Sequence, residues 1–118
     1  MLAKTIKTDN SARHKFYLAR EYYYKGRMNE ALDMFQQYSK DSKYLAEKAD
    51  AFLFMTKILW SLNRGSEARA HCLNAILCNP NFKEAFIWMS KMTFPKQSKI
   101  WLKMAENATN EDVIFIRS

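Results

Sequence analysis

With 118 residues, 48% of them hydrophobic, and only two glycines and two prolines, the chain can build one core without disulfide or metal support and is too poor in turn residues for a β-rich fold. Nineteen Lys and Arg against twelve Asp and Glu give a formal charge of +7, and no apolar run approaches the roughly 18 residues of a membrane span. The N-terminus lacks the apolar stretch of a secretory signal, so one all-α, cytoplasmic unit is expected.

Residues 1–10 carry Lys4, Lys7 and Asp9 without periodicity and read as a linker or disordered N-terminus, leaving 11–107 for the helical domain. Asn10 or Ser11 can cap a first helix reaching about Lys25. Its apolar residues Phe16, Leu18, Ala19, Tyr22, Tyr23 and Tyr24 nearly encircle it, too many for one core-facing stripe. Some of these rings must meet a partner, a groove or another domain. Gly26 can then end the helix in a left-handed conformation at no steric cost.

A second helix is expected near Asn29 to Ser39, burying Ala31, Leu32, Phe35 and Tyr38, followed by a polar loop to Leu45. The third, near Ala46 to Leu62, is apolar through Phe52, Leu53, Met55, Ile58, Leu59 and Leu62 and should be the most buried element. The fourth, near Ser66 to Cys78, turns Ala68, Cys72, Ala75 and Ile76 inward and stops at Asn79-Pro80. A fifth runs from Asn81 or Phe82 to about Met92. Pro95 suits the first turn of a sixth, about Lys96 to Asn107, with Ile100, Trp101, Met104 and Ala105 facing inward. Residues 108–118 read as a tail or capping segment: Val113-Ile114-Phe115-Ile116 either covers the open end of a stack or marks where a longer chain was cut.

Two stretches repeat. Gly26-Arg27-Met28-Asn29-Glu30-Ala31-Leu32 returns as Asn63-Arg64-Gly65-Ser66-Glu67-Ala68-Arg69, and aligning Ala31 with Ala68 gives a period of 68 − 31 = 37 residues. The same offset pairs Ala19 with Thr56, Tyr22 with Leu59 and Phe35 with Cys72, placing small residues where two helices cross and large ones beyond. Phe86, Met89 and Ser90 resemble the start of a third, shortened copy. A helical period near 34 residues resembles the tetratricopeptide repeat. That resemblance implies a right-handed superhelix of antiparallel helix pairs, five to six helices in all.

In such a repeat the first helix of each pair lines a concave surface. The resemblance therefore implies a partner-binding face built of Arg13, Phe16, Arg20 and Tyr24 in the first unit, Asp50, Phe54, Lys57 and Trp60 in the second, and Glu84, Trp88 and Lys91 in the third. Aromatic area mixed with cations and carboxylates suits a peptide or an apposed protein. The plainer reading puts Phe54 and Trp60 in the core and leaves the charges solvated. The carboxylate clamp of some such modules is not matched, because Phe16, Arg20, Phe54 and Lys57 occupy its places without an asparagine.

No catalytic constellation, metal-ligand set or cofactor loop is visible. His14 and His71 lack a histidine partner at helical spacing, and two glycines are too few for a phosphate-cradling loop. Cys72 and Cys78 lie six apart on one expected helix and on different faces, so they cannot bridge each other, which fits a reducing compartment. Charge concentrates at the ends: +5 over Met1 to Arg27, zero over Met28 to Ser90 and +2 over Lys91 to Ser118. Such ends suit an acidic partner or a membrane surface. A basic, aromatic surface can also bind RNA, but single-strand readers of this kind use many repeats, and about two and a half are present here.

The run Arg13-His14-Lys15-Phe16-Tyr17-Leu18-Ala19-Arg20-Glu21-Tyr22-Tyr23-Tyr24-Lys25-Gly26-Arg27, followed by Glu30-Ala31-Leu32 and Glu47-Lys48-Ala49-Asp50-Ala51, is similar to the helical region that follows the catalytic domain in bacterial and phage family-2 glycosyltransferases. The similarity covers about Arg13 to Ala85. It implies a non-catalytic interaction or dimerisation domain whose partner is a second copy, an acceptor protein or an adjoining glycosyltransferase domain. None of that family's catalytic residues falls within the chain. A free-standing adaptor that holds a peptide in its groove is the alternative.

Overall fold

The computed structural model describes the backbone of residues 2–117 and the side chains of residues 12–108. Six helices follow one another: α1 (Leu2–Tyr24), α2 (Met28–Asp41), α3 (Leu45–Ser61), α4 (Gly65–Cys78), α5 (Lys83–Met92) and α6 (Pro95–Arg117). There is no strand among the described residues. Packing is closest between α1 and α2, α3 and α4, and α5 and α6, and lighter between α2 and α3 and between α4 and α5. The chain is thus three consecutive helix hairpins laid side by side. Its shortest dimension, 20 Å, is about two helix diameters, as two layers require.

The turns explain the hairpins. At the end of α1, Gly26 has φ 81°, its N–H donates to the Tyr23 carbonyl at 3.1 Å, and the Arg27 N–H donates to the Tyr22 carbonyl at 2.8 Å. At the end of α3, Asn63 has φ 60°, its N–H donates to Trp60 at 3.1 Å, and Arg64 donates to Leu59 at 2.9 Å. Both are left-handed caps of the Schellman type, which satisfy carbonyls the helix end would orphan. The 37-residue offset carries further. Arg27 pairs with Glu30 and Arg64 with Glu67, each at 2.6 Å, across the first turn of the following helix. The third hairpin is made differently: Thr93 is extended at φ −120°, and Pro95 starts α6. No glycine is needed there, because no left-handed residue is used.

Small residues let the layers meet. Ala19, Ala31, Ala51, Thr56 and Ala68 have no exposed surface, and Phe35, Ile58 and Leu59 fill the space beyond them. Thr56 is admitted because its Oγ1 donates to the Phe52 carbonyl at 2.9 Å, so no buried hydroxyl is left unpaired. Cys72 Sγ donates to the Ala85 carbonyl at 3.2 Å, joining α4 to α5, and burial pushes its thiol up to about 12. Both cysteines are free.

The expected burial of Ala31, Leu32, Phe35 and Tyr38 on α2 and of Ala68, Cys72 and Ala75 on α4 is found. Three expectations are corrected. The helix α1 begins at Leu2, so Asn10 and Ser11 lie inside it rather than at its cap. Leu62 is exposed, because it follows the last residue of α3 and turns away with the cap. On α6, Ile100 and Met104 are exposed while Trp101 is half-buried and Ala105 and Ala108 are buried. One stripe of α6 meets α5 and nothing covers its other side among the described residues. The helix α6 runs on to Arg117, and the side chains of Val113 to Ile116 lie outside the described residues.

Candidate protein-binding groove

Three alternate helices, α1, α3 and α5, line a groove of about 420 Å³ whose walls include Phe16, Arg20, Tyr23, Tyr24, Asp50, Leu53, Phe54, Lys57 and Glu84. Each helix contributes at turn spacing: Phe16, Arg20 and Tyr24 on α1, and Asp50, Phe54 and Lys57 on α3. An adjoining hollow of about 410 Å³, bounded by Tyr17, Arg20, Glu21, Tyr24 and Lys25, continues it over the edge of α1.

The floor is aromatic and belongs to the core. Phe16 is only 4% exposed, and Phe54 stacks on the fully buried Phe35 with centroids 5.0 Å apart and planes 8° from parallel. The choice between core and groove for Phe54 is therefore not a choice: one face supports the fold and the other lines the cavity. Toward the end of α1, Tyr23, Tyr24 and Phe54 meet at steep angles. The Tyr23 and Tyr24 centroids are 5.2 Å apart at 85°, Tyr23 and Phe54 5.0 Å at 68°, and Tyr24 and Phe54 6.2 Å at 88°. Edge-to-face contacts of this kind suit the ring quadrupoles. Tyr24 remains 69% exposed, so most of this ring is free for a partner.

The charges are arranged unevenly. Lys57 on α3 reaches Glu84 on α5 at 2.8 Å and lies 5.6 Å from the centre of the Phe54 ring. Arg20 sits 5.8 Å from the Phe16 centroid and has no ion pair among the described residues. Asp50 has neither hydrogen bond nor ion pair among the described residues. It stands at the rim, yet loss of water against the groove walls, then the carboxylates of Glu84 and Glu47, hold its carboxyl above the ordinary range.

Four of the eleven residues expected on this face lie elsewhere than in its lining. Arg13 engages the Glu47 carboxylate at 3.5 Å and the rings of Tyr17 and Tyr44 at 6.0 and 5.9 Å. Trp60 lies beside Gly65, where an added Cβ would come within 3.4 Å of its ring. Trp88 and Lys91 pair with each other, the ammonium 4.9 Å from the ring centre. Of the lining residues, Tyr23 and Leu53 were missing from the sequence-derived face. Tyr23 could have been found from the excess of rings around the first helix; Leu53, nearly fully buried, carries no signal that separates it from core.

Beside the groove, a polar knot joins three helices. The Tyr38 hydroxyl on α2 donates to Glu47 Oε1 on α3 at 2.6 Å and accepts from Ser42 Oγ at 2.9 Å, while Arg13 on α1 approaches the other Glu47 oxygen. Burial and the Glu47 carboxylate push the Tyr38 phenol far above its usual range, so it stays a donor.

His71 lies away from the groove. It stacks on Phe52 at 5.8 Å and 21°, and its Nδ1 is buried without a hydrogen-bond partner. Burial lowers its pKa below 6.5, against the pull of Glu67. The folded chain thus binds this proton less readily than the unfolded chain, so the His71 contribution to stability is complete above about pH 6.5 and declines as pH falls through and below that value. Chemical denaturation at about pH 7 and about pH 5.5 should show a loss on acidification that His71→Phe reduces. An equal loss in the variant would remove His71 from the account.

Among the described residues no group of three or more His, Cys, Asp or Glu could hold a metal ion, and no helix is long and apolar enough to cross a membrane. No model of a known protein family matches the chain, and no curated protein matches it.

Proposed function

We propose that the chain is a non-catalytic helical-hairpin domain, acting in the cytoplasm, that binds a protein segment in the groove between α1, α3 and α5. One observation carries this reading: side chains from three successive hairpins converge on one cavity, offering exposed Tyr24, partly buried Phe54 and charges of both signs. An apolar surface edged by charges supplies area and orientation without reactive groups. The repeat of Gly26-Arg27 and Glu30-Ala31 as Asn63-Arg64 and Glu67-Ala68 supports a tetratricopeptide-like scaffold. The similarity of residues 13–85 to the region after family-2 glycosyltransferase catalytic domains supports such a domain, or a second copy of this chain, as the partner.

The test is sedimentation equilibrium of the chain at two salt concentrations, alone and with a family-2 glycosyltransferase catalytic domain. The expected result is a complex that survives added salt and weakens roughly tenfold or more in Tyr24→Ser, since exposed aromatic anchors dominate interfaces. A complex indifferent to Tyr24→Ser would move the interface off the groove. Failure of both complexes would leave the free-standing peptide adaptor as the reading to pursue.

A further inference from the structure

We infer that the groove selects a partner segment bearing a basic side chain, which ion-pairs with Asp50 and lies along the exposed Tyr24 ring. This rests on the groove being a protein-binding site and adds what it selects.

The argument is one of unmet charge. Asp50 faces the cavity without an ion pair or hydrogen bond, whereas both carboxylates near it are already engaged: Glu84 by Lys57 at 2.8 Å, and Glu47 by Tyr38 at 2.6 Å and Arg13 at 3.5 Å. Arg20 and Lys57 are the groove cations, and each already lies on a ring, Phe16 for Arg20 and Phe54 for Lys57. Their fields on Asp50 are weaker than those of Glu84 and Glu47, so the potential there is negative. An incoming guanidinium or ammonium lowers the energy of that carboxylate; an incoming acid raises it.

A second feature points the same way. Tyr23, Tyr24 and Phe54 form a corner of rings at 68° to 88° to one another, and Tyr24 is the exposed member. Ring faces attract cations, and aromatic corners with a neighbouring acid hold them in a partly dehydrated setting. Arginine fits better than lysine, because a planar guanidinium stacks on a ring and still offers a fork to a carboxylate.

The experiment uses three pentapeptides that differ only at the centre, arginine, glutamine or glutamate between leucines, titrated into the whole chain while the ring resonances of Tyr24 and Phe54 are followed by NMR. The arginine peptide should shift both rings and bind roughly tenfold more tightly than the glutamine peptide. That margin should vanish in Asp50→Asn and persist in Arg20→Gln. Asp50→Asn removes a carboxylate held above its ordinary range, so it is not expected to cost the fold. Equal binding of the arginine and glutamine peptides, or tightest binding of the glutamate peptide, overturns the role of Asp50 and leaves the groove reading standing. No ring shift with any of the three overturns both.

Discussion

Phe35→Ala should remove about 3–5 kcal/mol of unfolding free energy, the largest loss expected from any single truncation in the chain. Phe35 has no exposed surface and is the ring on which Phe54 stacks at 5.0 Å and against which Phe16 stands edge-on at 5.9 Å. Its removal leaves a cavity where α1, α2 and α3 meet, and Ala31 and Ala19 of the same cluster are too small to fill it. Since domains of this size are stable by about 5–15 kcal/mol, the variant should sit near the edge of folding. Urea denaturation followed by far-UV circular dichroism reads the effect. A midpoint within error of the parent would mean that the α1–α2–α3 contact does not carry the core.

Tyr38→Phe should cost about 1–3 kcal/mol although it deletes only one oxygen. The ring keeps its tilted contact with Phe16 at 5.2 Å, so packing is nearly unchanged. The loss comes from Ser42 Oγ and Glu47 Oε1, which both lose the hydroxyl between them in a part-buried site. A double-mutant cycle with Glu47→Gln isolates the pair. Coupling of about 0.5 kcal/mol or more is expected for contacting groups in one network, and additive losses would show the hydroxyl and carboxylate to be independent.

What was legible in the sequence was local chemistry that recurs. Gly26 and Asn63 could be matched because a left-handed cap admits few residues, and Ala31 and Ala68 because close helix crossings exclude a large side chain. Tyr38 was placed in the core by its spacing from Ala31 and Phe35. Its bond to Glu47 was not, since it depends on how α3 is laid across α2. The groove was half legible for the same reason. Helical spacing put Phe16, Arg20 and Tyr24 together, and likewise Asp50, Phe54 and Lys57, but it did not separate Glu84, which reaches the cavity lining, from Trp88 and Lys91, which do not. Ile100 and Met104 failed differently. Their apolarity suggested an inward face, but whether a stripe is covered depends on what lies beyond the last hairpin, which spacing along α6 does not encode.

The core divides along the same line. One cluster of buried side chains runs from Ala12 on α1 to Met92 on α5, while Phe86, Ala105 and Ala108 form a small separate one, touched by Ile76, Ile87 and Trp101. Among the described residues the first two hairpins share many large rings, whereas α6 packs closely on α5 through Phe86, Ala105 and Ala108, with Trp101 stacked 6.1 Å from Phe86 and packed against both clusters. In a molecule whose hairpins touch chiefly their neighbours, and more lightly than the two helices of each hairpin touch one another, one hairpin can open without dissolving the rest. The two principal walls of the groove, α1 and α3, belong to the first two hairpins, so they would keep their shape through fluctuations that open the third.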